Sequence, residues 1–251
     1  MRRACAEIVL RSKVDVLALQ EAGDREALTG FQESALGGAF PYLALSRGSR
    51  RGIYSAVLSR RPIVAYESLD LPLSTGAVLR RPLLRVDVDV AGTALRLYVV
   101  HLKSPRPFEA PPASASLDAD AFRHAEAEAV AACLRTEPSE ACVALLGDLN
   151  DEDGAGSTVA PLVHRAGLVD PVARELPLDE RWTARWRRHG RRRFDYVLLS
   201  ESLAGAYVAG SARVEHRDPA AYASDHRLVR LDLRLPRAQS GARDPASSEA
   251  R

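Results

Sequence analysis

Ala141-Cys142-Val143-Ala144-Leu145-Leu146-Gly147-Asp148-Leu149-Asn150-Asp151 is the stretch on which the reading of this chain turns. An apolar run meets a glycine, and oxygen-bearing side chains follow at Asp148, Asn150 and Asp151. Such a short apolar run fits a buried strand. Side chains alternate along a strand, so Asp148 and Asn150 point one way and Leu149 the other. A carboxylate and an amide together at the mouth of a sheet can hold a hard metal ion, a water or a phosphate oxygen. Gly, Asp and Asn are also turn formers. Taken alone, the stretch reads equally as a turn or as a site, and the rest of the chain decides.

The chain has 251 residues, enough for one large domain or two small ones, and 46% of them are hydrophobic, as in an ordinary globular protein. No apolar run is long enough to span a bilayer. The basic start Met1-Arg2-Arg3 is not followed by an apolar signal core, because Arg11, Lys13 and Asp15 break the next segment. As written, the chain is expected to be cytoplasmic. Cys5, Cys133 and Cys142 lack paired-ligand spacing, which argues against a zinc cluster or a disulfide framework. Net charge is only +2, so no global nucleic-acid signature exists. Lys13 and Lys103 are the only lysines; nearly all positive charge is arginine, suited to bidentate phosphate contacts. A bias toward Ala and Arg accounts for most of that surface.

Periodicity predicts helices over 2–12, 24–36, 120–135 and 157–166. It predicts strands over 14–20, 53–58, 83–90, 95–100, 142–147, 194–199 and 228–233, with Ala91-Gly92-Thr93 as a hairpin turn. Residues 104–119, rich in Pro, Ala and Ser, form a surface loop. The expected fold class is α/β, with one domain over 1–235 and a polar, disordered tail over 236–251.

Polar residues suited to chemistry sit at five strand ends: Glu21, His101, Asp148 with Asn150, Asp195, and Asp225 with His226. Each alone is weak, since a carboxylate or His at a strand end is usually solvated or structural. Together, Val14–Glu21, His101–Ser104, Gly147–Asp151, Phe194–Ser200 and Ser224–His226 resemble, in order, the motifs of the endonuclease/exonuclease/phosphatase superfamily, the deoxyribonuclease I-like metal-dependent phosphodiesterases. That resemblance implies two packed mixed β-sheets flanked by helices, a four-layer α/β/β/α sandwich. It implies Mg²⁺ or Mn²⁺, with Glu21 as main metal carboxylate and Asp225 as a further metal or metal-water ligand. His226 would face the scissile phosphate, oriented by Asp195. Asp148 would align or deprotonate the attacking water. Asn150 would hold a phosphate oxygen or that water, and His101 would face the phosphate near the leaving group. Arg81 resembles a phosphate-contacting arginine, although its neighbour Arg80 leaves the register open.

The family pattern also includes a strand ahead of the first helix, ending in Asn or Asp. This sequence opens on the helix. The expected explanation is a start assigned too far downstream, with a trimmed or a degenerate chain as alternatives. A signal peptide would be lost with that segment, so localisation is unknown and secretion stays possible.

Residues Arg181 to Arg193 hold seven arginines and two tryptophans, a pattern that could contact phosphates and stack bases. The alternative is a hairpin with a solvated basic face and its tryptophans packed on the core. Arg47, Arg50 and Arg51 form a second basic loop. The expected substrate is nucleic acid, handled by a monomer without stable membrane association. An inositol phosphate, a phospholipid headgroup, or a non-catalytic binding role are the alternatives.

Overall fold

Alternation in the strands builds the layers. The computed structural model describes residues 2–49, 52–107, 118–154, 156–186, 190–217 and 224–236. In chain order these form α1 (Arg2–Ser12), β1 (Val16–Ala22), α2 (Arg25–Ser34), β2 (Tyr42–Leu45), β3 (Tyr54–Ser59), β4 (Ile63–Leu69), β5 (Leu83–Val90), β6 (Thr93–His101), α3 (Ala119–Leu134) and β7 (Cys142–Asp148). Then come α4 (Pro171–Glu175), β8 (Ala184–Trp186), β9 (Gly190–Arg192), β10 (Asp195–Leu199), α5 (Glu201–Ala204), β11 (Arg213–Val214) and β12 (Val229–Arg230).

The larger sheet has the order β10-β7-β6-β5-β4. It is mixed, because β6 and β7 run parallel while its other pairs are antiparallel. Parallel neighbours need a crossover, and α3 supplies it. The smaller sheet, β1-β3-β2, is antiparallel in its described strands. Leu84, Val86, Leu97, Val99, Ala144 and Val197 turn inward and meet Ala44 and Val57 of the smaller sheet. Their neighbours Leu83, Tyr98, Val100, Val143, Leu145 and Leu198 turn outward and pack on α3 through Phe122, Val130 and Leu134. On the far side, Ala6 and Val9 of α1 and Leu28 of α2 cover Leu17, Ala56 and Leu58. The result is two main sheets between helical layers, the sandwich the sequence implied. Among the described residues, no helix is long and apolar enough to cross a membrane.

Several local expectations are corrected. Residues 157–166 contain five residues of π-helix, Pro161–Arg165, instead of one regular helix. The 228–233 strand is reduced to Val229–Arg230, which pairs with β11, plus a single bridge at Leu233. Among the described residues, its backbone bonds run to 206–215. Strands β2 and β4 carry no alternating signal that predicts them: β4 is an edge strand with both faces largely solvated. Arg50, Arg51, Arg187, Arg188, His189, most of the 104–119 loop and the tail from 237 lie outside the described residues.

Among the described strands, β1 pairs only with β3. Residues 16–21 of β1, residues 228–233 and Leu235 line one cavity of about 1640 Å³. The floor of that cavity includes inner-face residues Leu97, Leu146 and Val197, and its polar end is the site.

Candidate active site

Register brings the polar strand ends to one level. His101 ends β6 opposite Asp148 at the end of β7, and Asp148 in turn stands opposite Asp195 at the start of β10. Gly147 permits this pairing: its φ is +138°, and a Cβ there would lie 2.0 Å from the Val100 carbonyl oxygen. His226 joins from a separate segment through a bridge to Ala184, while the Arg227 N–H donates to Thr183. Glu21, Arg81, His101, Asp148, Asn150, Asp195, Asp225 and His226 all line the one cavity.

Turn and site prove to be one structure. The Asn150 N–H donates to Asp148 Oδ1 at 2.8 Å, an Asx turn, with Asn150 at φ +54°. Asn150 Nδ2 donates to Asp148 Oδ2 at 2.9 Å and to the Leu102 carbonyl at 3.1 Å. Its amide hydrogens therefore go to protein oxygens and fix Asp148; in this arrangement they are not aimed at a phosphate. Glu21 also has a left-handed backbone, φ +54°, at an irregularity in β1. For a glutamate this conformation costs about 1 kcal/mol or more, a strain that clusters at functional positions. Its carboxylate makes no hydrogen bond or ion pair among the described residues.

The two histidines are in opposite states. His226 Nδ1 lies 2.7 Å from Asp195 Oδ2. Burial pushes its pKa down, but the hydrogen bond and charge of Asp195, helped by Asp148 and Asp225, outweigh burial and raise it to about 9. His226 is an imidazolium at neutral pH. His101 is held well below its usual range by burial and then by the charges of Arg81 and His226. It stands 3.5 Å from Asp148 Oδ2, a pair that would be ionic only with a charged ring. The neutral ring is favoured here, because burial and two nearby cations oppose a second charge. Burial, then the charge of Asp195, lifts the Asp148 carboxyl well above the usual carboxylate range.

Sequence reasoning missed three supporting residues. Thr183 Oγ1 accepts from the N–H groups of Phe194 and Asp195, both at 2.9 Å, which fixes the start of β10. Glu126 and Arg123 sit on the buried stripe of α3 with Phe122, Ala127 and Val130. Charged residues at the apolar positions of a helix were the available signal. The basic hairpin is less open than its sequence suggests. Arg193 is buried against Asp170 at 2.8 Å, and Arg192 pairs with Glu152 at 2.8 Å. Trp182 stacks on His216 with ring centroids 4.2 Å apart, and Arg191 and Arg227 lie against its ring. Arg47 pairs with Asp70.

Asp148, Asp195 and His226 place ligand-type atoms within 4.8 Å of one another. Those atoms already bond to Asn150 and to each other, whereas Glu21 and Asp225 are exposed on the same cavity. Exposed carboxylates of this kind are the oxygen donors that a hard divalent cation takes.

The two-sheet α/β/β/α fold has solved counterparts. An endonuclease/exonuclease/phosphatase family protein from Leptotrichia buccalis C-1013-b is similar at 17% identity and TM-score 0.68, over 93% of this chain and 92% of that one. Truncated Caenorhabditis elegans TDP2 is similar at 21% identity and TM-score 0.63, over 91% and 87%. Sphingomyelinase C from Streptomyces griseocarneus is similar at 20% identity and TM-score 0.55, over 92% and 88%. A comparison of the sequence with curated proteins gives no match. The sequence profile of the Endonuclease/Exonuclease/phosphatase family matches residues 2–226, so the chain belongs to that family. Membership supports a hydrolytic phosphoesterase, in a family that generally uses a divalent metal.

Proposed function

We propose that the chain is a divalent-metal-dependent phosphodiesterase that hydrolyses nucleic acid. The observation that carries this reading is the pairing of a charged His226, locked by Asp195, with a buried Asp148 of raised pKa across one cavity. An imidazolium neutralises charge on phosphoryl oxygens. Its raised pKa makes the Asp148 carboxylate, once ionised, a stronger base toward the attacking water than an ordinary carboxylate. Asn150 holds both oxygens of that carboxylate in place. Arg81 and the neutral His101 complete the phosphate side. Glu21 and Asp225 would hold Mg²⁺ or Mn²⁺, which would supply further charge neutralisation and lower the pKa of bound water. Exposed Arg185 and Arg191 on the β8–β9 hairpin favour a polyanionic substrate over a small phosphoester.

The test is a side-by-side assay on plasmid DNA, single-stranded RNA, inositol phosphates and sphingomyelin, with Mg²⁺ or Mn²⁺ and with EDTA. EDTA-sensitive cleavage of a nucleic acid, abolished in Asp148→Ala and His226→Ala, is the expected result. Near-normal turnover in either folded variant refutes the residue roles. Exclusive cleavage of a small or lipid phosphoester refutes the substrate class, and binding without cleavage refutes catalysis.

A further inference from the structure

We propose that Glu126, on the helix behind the site, is a positioning residue that clamps the Arg80–Arg81 loop to the His101–Lys103 loop, and through them sets the phosphate-facing groups. This rests on the proposed function, in which Arg81 and His101 face the substrate phosphate.

Glu126 is only 1% exposed and does not line the cavity. A buried carboxylate needs its oxygens engaged. Oε1 accepts from the Arg80 N–H at 2.9 Å, and Oε2 accepts from the Lys103 N–H at 2.6 Å. These two amides belong to loops about two dozen residues apart, each flanking a site residue. The loops are also joined at the front. Arg81 donates through one guanidinium nitrogen to the carbonyls of His101 at 3.3 Å and Leu102 at 2.8 Å. The outcome is a closed ring: Glu126 to Arg80, along the chain to Arg81, across to His101 and Leu102, along to Lys103, and back to Glu126. Asn150 also donates to the Leu102 carbonyl, which ties the ring to Asp148. Arg123, one turn earlier on α3, donates to the Lys103 carbonyl at 3.3 Å. Burial raises the pKa of the Glu126 carboxyl, while the two backbone N–H groups and Arg81 pull it down; in its ionised form Glu126 in turn offsets the burial that weakens the hold of Arg81 on a proton.

A plain core role would require only a side chain of the right volume. A clamp requires two acceptors on one group, which glutamate has and glutamine lacks. Glu126→Gln keeps the shape, retains one acceptor, and turns an NH₂ donor toward the other backbone N–H.

The experiment compares wild type, Glu126→Gln, Arg81→Lys and the double variant. It measures orthophosphate affinity by calorimetry, KM and kcat on the cleaved phosphoester, amide exchange at Arg80 and Lys103, and the unfolding transition. Expected for Glu126→Gln is a retained cooperative transition, lost protection at one of the two amides, phosphate affinity about tenfold weaker, and a rise in KM exceeding any change in kcat. The double variant should lose less than the product of the single losses. Unchanged phosphate affinity despite lost protection, or multiplicative losses, overturns the proposal. Should Glu126→Gln not fold, Glu126→Asp keeps two acceptors but shortens their reach; unchanged protection at Arg80 and Lys103 in that variant then overturns it. A wild type that neither binds orthophosphate nor cleaves a phosphoester refutes the proposed function instead. The clamp is then judged by exchange alone, and unchanged protection at both amides in Glu126→Gln overturns it.

Discussion

Replacing Asp195 by Asn should discharge His226 at neutral pH. The two side chains meet at 2.7 Å, and the neighbouring carboxylate raises the imidazole from 6.5 to about 9 against the pull of burial. That rise corresponds to about 3 kcal/mol favouring the charged ring. The His226 side chain is 32% exposed, and solvent screening trims the contribution to about 2 kcal/mol. The substituted amide would keep its place, because Thr183 holds the backbone N–H at this position, but it carries no charge. Burial then dominates, and the ring should titrate at or below its ordinary value. The assay is NMR titration of the His226 ring in metal-free protein from pH 5 to 10. The folded state binds the extra proton, so this stabilisation is fully present below about pH 6.5 and is lost as pH rises through about 9. Urea unfolding of the wild type should therefore weaken across that window, and the Asp195→Asn variant should lack the corresponding slope. A ring that still titrates near 9 in the variant, or a wild-type ring at or below 6.5, refutes the reasoning.

Other outcomes follow from the packing. Gly147→Ala places a methyl 2.0 Å from the Val100 carbonyl, inside a parallel ladder that cannot retreat, so urea denaturation should show a loss above about 3 kcal/mol or no folded protein. Near wild-type stability would disprove the β6–β7 register. Asp170→Ala removes the buried partner of Arg193 and the N-cap of α4, and should cost about 3–5 kcal/mol in the same assay; a loss below about 1 kcal/mol would show that the pair is dispensable. Amides of β1 that point away from β3 should exchange about a hundredfold faster than those of central β7, since only β3 pairs with β1 among the described strands. Equal protection would mean that the open edge of β1 is covered.

Elements with a strong local period were legible in the sequence. Strands β7 and β10 read as short apolar runs because each lies between two cores, β5 and β6 alternate because Arg85, Asp87 and Arg96 share a polar stretch of their other face, and α3 shows its stripe because one face meets a sheet. Strand β4 was not legible, for an edge strand open to water on both faces carries no hydrophobic period. In the basic hairpin, arginine composition cannot show that Arg193 is buried on Asp170 or that Arg192 pairs with Glu152. Glu126 stood on the apolar stripe of α3 in plain view, but its two amide partners come from distant loops.

The sequence by itself determined the family, the strand-and-helix plan of the core, and the identities of the residues that reach the cavity, because motifs and periodicities are local. Only the tertiary structure decided their states. His101 and His226 are the same side chain, yet one is neutral and the other charged. Burial beside Arg81 separates the first from the second, which sits on Asp195. Asp148 gains its raised pKa from burial and from Asp195, a neighbour on another strand, and its fixed orientation from Asn150 beside it. Charge state depends on desolvation and on distances between groups, and both are set by how strands register across space rather than by their order along the chain.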